Sequence, residues 1–110
     1  MAKVFIPQIV TRFDGTERRM VPVFDFSAAA AHGQLTPILD PDDNPLFLSH
    51  LTPKIRKALE EFKPGDFLVA VGDPSVIGLC CALLALRHRV FGMLKWDRKL
   101  HIYNQVEIRT

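Results

Sequence analysis

A chain of 110 residues, 48% hydrophobic and 24% charged, has the size and balance of one folded domain, which excludes a disordered or fibrous class and leaves no room for a second domain. The net charge is only +2, yet residues 1–50 carry four Lys/Arg against six Asp/Glu and residues 51–110 carry ten against six. A basic second half attracts nucleic acid or an acidic protein, but so small an overall excess is weaker than dedicated nucleic-acid binders show.

Lys3 to Val10 is rich in Val, Ile and Phe, and Asp14-Gly15 with a charged cluster separates it from a second such stretch, Met20 to Phe26. The two are expected to pair as a peripheral antiparallel hairpin with a longer loop. Pro7 and Pro22 each lack a ladder donor, which places an edge or a bulge at both points. The start, Met1-Ala2-Lys3 followed by only Val4-Phe5-Ile6 before Pro7, is too short for the apolar stretch of a secretion signal.

Ser27 is expected to cap a short helical turn through Ala28 to His32, which Gly33 ends. Leu35 to Leu39 reads as a short strand, and Asp40-Pro41-Asp42-Asp43-Asn44-Pro45 as an acidic loop too rich in proline for regular structure. Thr52 as cap and Pro53 at the first helical position then start a helix whose stripe is Ile55, Leu59 and Phe62, and which Pro64 stops near Lys63.

Phe67 to Val71 is a nearly continuous apolar strand, of the kind covered on both faces, and it turns through Gly72 straight into a helix over 74–87 capped by Asp73. Arg87, His88 and Arg89 suit the negative pole of that helix. Val90 to Trp96 and Leu100 to Arg109 form a hairpin joined through Asp97-Arg98-Lys99. On the last strand Leu100, Ile102, Val106 and Ile108 are expected to pack, while His101, Tyr103, Gln105, Glu107 and Arg109 face water and Trp96 lies in the core.

These elements predict an α/β (α+β) fold in a single domain, 1–110: a mixed β-sheet of about five strands with two main helices, containing a βαβ unit and a C-terminal hairpin. The helix over 74–87 is apolar almost all round, with a stripe of small residues, Gly78, Cys81, Ala82 and Ala85, opposite the bulkier Val76, Leu83 and Leu84. Something must cover its outer face; the first expectation is the N-terminal segment, the second a homodimer through this helix. Its longest apolar run, Val76 to Leu86, makes only about 16 Å of helix and cannot span a bilayer, so the expectation is a cytoplasmic protein with no membrane contact.

Gly72, Asp73 and Ser75 form one candidate ligand site, because backbone amides and a hydroxyl at a helix N-terminus suit a phosphate. Asp73 opposes that reading, since its carboxylate caps the same amides and repels an anion. Neither a Walker pattern nor Gly-x-Gly-x-x-Gly is present. His32, His50, His88 and His101 are scattered without zinc spacing, the adjacent Cys80 and Cys81 read as small core residues, and Ser49 and Ser75 lack a nucleophile motif. No metal, cofactor or catalytic residue is assigned; the leading reading is non-enzymatic, with an enzyme as the third behind protein binding and nucleotide or nucleic-acid binding.

The terminal hairpin is the candidate partner surface: Lys95, Arg98, Lys99, His101 and Tyr103 combine cations with an aromatic ring. Such a mixture anchors a protein partner, where Tyr and Arg are favoured, or stacks on a single-stranded nucleic acid. The protein partner is preferred and nucleic acid or a nucleotide is the alternative.

Phe24-Asp25-Phe26-Ser27, Val71-Gly72-Asp73-Pro74, and Leu94-Lys95-Trp96-Asp97-Arg98 with Tyr103 together resemble a group of small tailed-bacteriophage accessory proteins with no known activity, over most of the chain. The resemblance implies only a virus-encoded accessory protein made in the bacterial host cell; that it binds a host or phage protein, through the terminal hairpin or the apolar helix, is the expectation drawn from its surface residues. The resemblance implies no catalytic role for any residue.

Overall fold

Val4, Phe5 and Ile6 are buried on both sides of a sheet, which is what an uninterrupted apolar run does at the centre of parallel strands. The computed structural model describes residues 1–110 apart from Val23 and Phe24. In chain order the elements are β1 (Lys3–Ile6), β2 (Thr11–Asp14), β3 (Arg19–Pro22), a 3-10 turn (Ser27–His32), β4 (Gln34–Pro37), a second 3-10 turn (Pro45–Phe47), α1 (Leu48–Leu59), β5 (Phe67–Val69), α2 (Pro74–Ala85), β6 (Val90–Asp97) and β7 (Ile102–Arg109). Five strands form one mixed sheet in the order β4-β1-β5-β6-β7, and β2 and β3 form a separate two-stranded sheet.

The first four strands of that order run parallel and β7 runs antiparallel to β6. The expected βαβ unit is present: β5 and β6 are parallel neighbours, Phe67 opposite Gly92 and Val69 opposite Leu94, with α2 between them in the chain. On one face of the sheet Phe5, Leu68 and Phe91 pack against Ile55 and Leu59 of α1 and Val76, Cys80 and Leu84 of α2. On the other, Val4, Ile6, Val69, Leu94 and Tyr103 pack with Phe26, which precedes the first 3-10 turn, and with Ala29 within it.

The N-terminal hairpin differs from expectation. β1 lies inside the large sheet between β4 and β5, while the antiparallel pair is the shorter β2–β3, with Phe13 opposite Met20 around Asp14-Gly15. Burial decides this, because Val4 to Ile6 can be covered on both faces only at the sheet centre. Pro7 lies one residue past β1 and so costs no ladder bond there. The distal part of the expected Met20–Phe26 strand includes Val23 and Phe24, which lie outside the described residues.

Caps and helix ends also shift. The Ser27 side chain caps nothing; the Asp25 carboxylate accepts the Ser27 N–H instead, at 2.8 Å. Helix α1 begins at Leu48 rather than Pro53, led in by Asn44, whose side chain accepts the Leu46 N–H. Thr52 sits inside the helix and donates its hydroxyl to the Leu48 carbonyl. The additional turn brings Leu48 and Leu51 against the core, which offsets the helix bond lost at Pro53. α1 ends at Leu59, short of Lys63, yet Phe62 still reaches the core from the following turn.

The N-terminal segment does not cover α2. Val76, Cys80 and Leu84 face the sheet, while Gly78 and Ala82 of the small-residue stripe are exposed and Cys81 and Ala85 half-buried. A Cβ placed on Gly78 would meet open space. No helix among the described residues is long and apolar enough to cross a membrane.

Candidate functional site

Eight-residue strands make β6 and β7 the longest pair in the molecule, and they outrun their neighbour. β5 pairs β6 only from Gly92 to Leu94, so Lys95–Asp97 and Ile102–Asn104 form an overhanging tip. The turn is built by Asp97, whose carboxylate accepts the backbone N–H groups of Lys99 and Leu100 at 2.9 and 3.0 Å. Those bonds, Leu100 first, hold the Asp97 carboxyl below its ordinary range, helped by the Asn104 amide and by His101. His101 takes the left-handed backbone that closes the loop, with φ of 53°.

Trp96 and Tyr103 are directly opposite in the ladder, with ring centroids 4.9 Å apart. Tyr103 is only 4% exposed and donates its hydroxyl to the Asp25 carbonyl at 3.3 Å. Burial and the nearby Asp25 carboxylate raise the pKa of that phenol. The facing of β7 departs from expectation in part: His101, Gln105, Glu107 and Arg109 are exposed and Ile108 reaches the core as expected, but Tyr103 packs while Ile102 and Val106 are 43% and 39% exposed. The helices reach only the base of the hairpin, where Phe91 and Ile108 pack, and leave Ile102 and Val106 uncovered, whereas the 3-10 turn on the opposite side reaches Tyr103.

Lys95, Arg98, Lys99 and His101 are exposed, and the three cations Lys95, Arg98 and Lys99 make no ion pair among the described residues. Leu100 lies between them, 66% exposed. Of the five expected partner residues the structure gathers four at an accessible tip and assigns Tyr103 to the packing beneath it. Leu100, Ile102 and Val106 were missed as surface residues because alternation alone assigned them to the core.

At the start of α2, the Asp73 carboxylate accepts the Ser75 N–H at 2.9 Å and also the Ser75 hydroxyl. These bonds, the hydroxyl's first, lower the Asp73 pKa. Gly72, at φ of 119°, lets the chain turn there, and the Asp73 N–H donates to the Gln8 side-chain carbonyl at 3.1 Å. Gln8 follows β1, and the sheet order reverses direction between β1 and β5, so Gly72, Asp73 and Gln8 lie at the switch point of the sheet. Topology alone brings Gln8 there; no local sequence signal marks it.

Two shallow clefts lie elsewhere on the described surface. One of about 420 Å³ lies between the ends of α1 and α2, with Leu59, Leu83 and Leu86 beside Arg56 and Arg87. The other, about 490 Å³, lies where the Phe62–Phe67 turn meets Gly92 and Gln105. Among the described residues no three His, Cys, Asp or Glu side chains converge as metal ligands would. Cys80 is buried, its thiol pushed up to about 12 by desolvation, and it is a poor nucleophile in that state.

The fold and its surface thus define a small α/β protein on a mainly parallel sheet, with exposed cations beside exposed apolar side chains on a projecting antiparallel hairpin. The chain belongs to the phage Pam3 gp32-like protein family, whose model matches residues 2–110. No curated protein and no solved structure matches it. Membership in a phage family agrees with the resemblance carried by the Phe24–Ser27, Val71–Pro74 and Leu94–Arg98 segments.

Proposed function

We propose that this protein is a non-enzymatic phage accessory protein that acts by binding a host or phage protein through the tip of its terminal hairpin. The supporting observation is the projection of Lys95, Arg98 and Lys99, none of them ion-paired among the described residues, beside exposed Leu100 and Ile102. Cations without local partners leave their charge available, and adjacent apolar side chains gain by burial, which is the mixture that protein interfaces use. The test is an affinity capture from bacterial lysate with the wild-type protein and with Lys95, Arg98 and Lys99 changed to alanine. Loss of the captured species in the variant is expected; capture unchanged by the three substitutions rejects the hairpin as the surface.

A second reading places a nucleotide at the β1/β5 switch point, where open parallel sheets receive ligands. What supports it is that Gly72 and Asp73 follow β5 and Gln8 follows β1 at this switch point; binding there requires the Gln8 carbonyl to release the Asp73 N–H. It also requires the Asp73 carboxylate to leave the Ser75 donors or to meet the ligand through a cation. A rise in melting temperature with one nucleotide, absent in Gln8→Ala, is the expected sign.

A further inference from the structure

Resting on the protein-binding reading above, we infer that the partner joins the free edge of β7 as an added antiparallel strand, in the form of an extended segment with apolar residues at alternate positions and acidic residues at the end beside the hairpin tip. β7 borders the sheet and pairs only with β6 among the described residues. The Thr110 N–H donates to the Arg89 carbonyl at 2.8 Å, which sets the phase of the ladder: even-numbered residues of β7 bond inward. Tyr103, Gln105, Glu107 and Arg109 therefore turn their backbone N–H and C=O groups outward, and none of these groups is bonded among the described residues.

The two borders of the sheet are not alike. β4 is four residues long and ends in Pro37, a common way to blunt an edge. β7 is eight residues long with a one-to-one register, no proline, no lysine and no bulge. Its Glu107 and Arg109 pair with each other at 3.1 Å, so neither is left as an unpaired gatekeeping charge. Ile102 and Val106 stand on the helix side of this edge, exposed, where alternate side chains of an added strand would cover them. Beyond Ile102 come the cations Arg98 and Lys99, while the Asp97 carboxylate is held by the turn amides, which is why the incoming end must be acidic.

A second copy fits this edge poorly. Two-fold pairing about Val106 sets Ile102 against Thr110 and Ile108 against Asn104, and pairing about Glu107 opposes two carboxylates. Pairing about Gln105 aligns Ile102 with Ile108 but brings Arg109 against His101 of a cationic tip.

The probe is a synthetic octapeptide of alternating threonine and valine ending in two aspartates at its C-terminus, titrated into the isotopically labelled protein and followed by amide NMR and hydrogen exchange. Saturable binding that slows exchange at Tyr103, Gln105, Glu107 and Arg109 is expected. Glu107→Pro removes one outward donor and no inward bond, and it should weaken binding about tenfold. Arg98→Glu with Lys99→Glu, outside the ladder, should weaken the same peptide, and the reversed peptide with aspartates at its N-terminus should bind less well. No saturable binding, shifts centred elsewhere, or affinity indifferent to both variants overturns the inference. So does protection of the β7 edge by protein concentration alone, which assigns the edge to a second copy. If the lysate partner is lost on alanine substitution of the tip but retained by Glu107→Pro, strand addition fails and the protein-binding reading stands.

Discussion

The carboxylate of Asp66 accepts the backbone N–H of Lys3 at 2.8 Å, across 63 residues of chain, and with its other oxygen accepts the Lys63 N–H at 2.9 Å. One buried side chain thereby ties the start of the interior strand β1 to the turn that delivers β5 beside it. Asp66→Ala should cost about 2 kcal/mol in urea unfolding, since it strands two backbone donors. Asp66→Asn keeps an acceptor for one of them and should fall between that variant and wild type.

Gly72 has φ of 119°, and a Cβ there would lie 3.0 Å from the Gln8 Cβ. Gly72→Ala is expected to lower stability by about 1–2 kcal/mol because the conformation is poor for any L side chain. The combined Gln8→Ala change relieves the contact but not the backbone, so thermal unfolding should show only partial recovery.

The carboxylates Asp25, Asp43, Asp73 and Asp97 all titrate below their ordinary value in the folded state. The leading causes are the Ser27 N–H, the Lys54 ammonium, the Ser75 hydroxyl and the Leu100 N–H respectively. A lowered folded pKa means that the stabilisation is complete above the unfolded value of 3.8 and is lost as pH falls through the lower folded values. Melting temperature should be insensitive to these groups near neutrality and drop in acid. Asp73→Asn should melt lower at neutral pH and show a shallower acid decline.

His88 presents a buried Nε2 with no hydrogen-bond partner and meets the Phe62 ring edge-on, with centroids 5.5 Å apart. His88→Leu removes an unsatisfied polar atom from an apolar contact. The expected result is unchanged or increased stability, by up to about 1 kcal/mol, measured by urea unfolding.

Tyr103 carries packing beneath the proposed surface and not contact upon it. Tyr103→Phe should cost about 1 kcal/mol, for the bond to the Asp25 carbonyl, and leave partner capture intact. Tyr103→Ala should cost about 3 kcal/mol by emptying the space beside Trp96. Equal melting temperatures for Tyr103→Ala and wild type would contradict its place in the core.

Much of the architecture is readable locally. The apolar Phe67–Val71 run, the Gly72 turn, the Asp73 cap and the apolar helix after it are consecutive, and each draws its signal from its own residues or the next few. The basic hairpin tip is legible for the same reason, since Asp97 needs only the amides of Lys99 and Leu100 to build its turn. Other features depend on distant chain. Whether Val4–Ile6 pairs with the following stretch or with β4 and β5 is a competition that burial on both faces decides, and nothing within ten residues of β1 records it. Which row of β7 packs likewise depends on where α1, α2 and the Ser27–His32 turn end, because alternation names two faces without saying which one has a neighbour. Sequence alone determined the strand, turn and helix from Phe67 to Ala85 and the charge at the hairpin tip; the tertiary structure alone decided strand order, the burial of Tyr103 and the exposure of the β7 edge, because non-local packing selects among faces that local physics leaves equivalent.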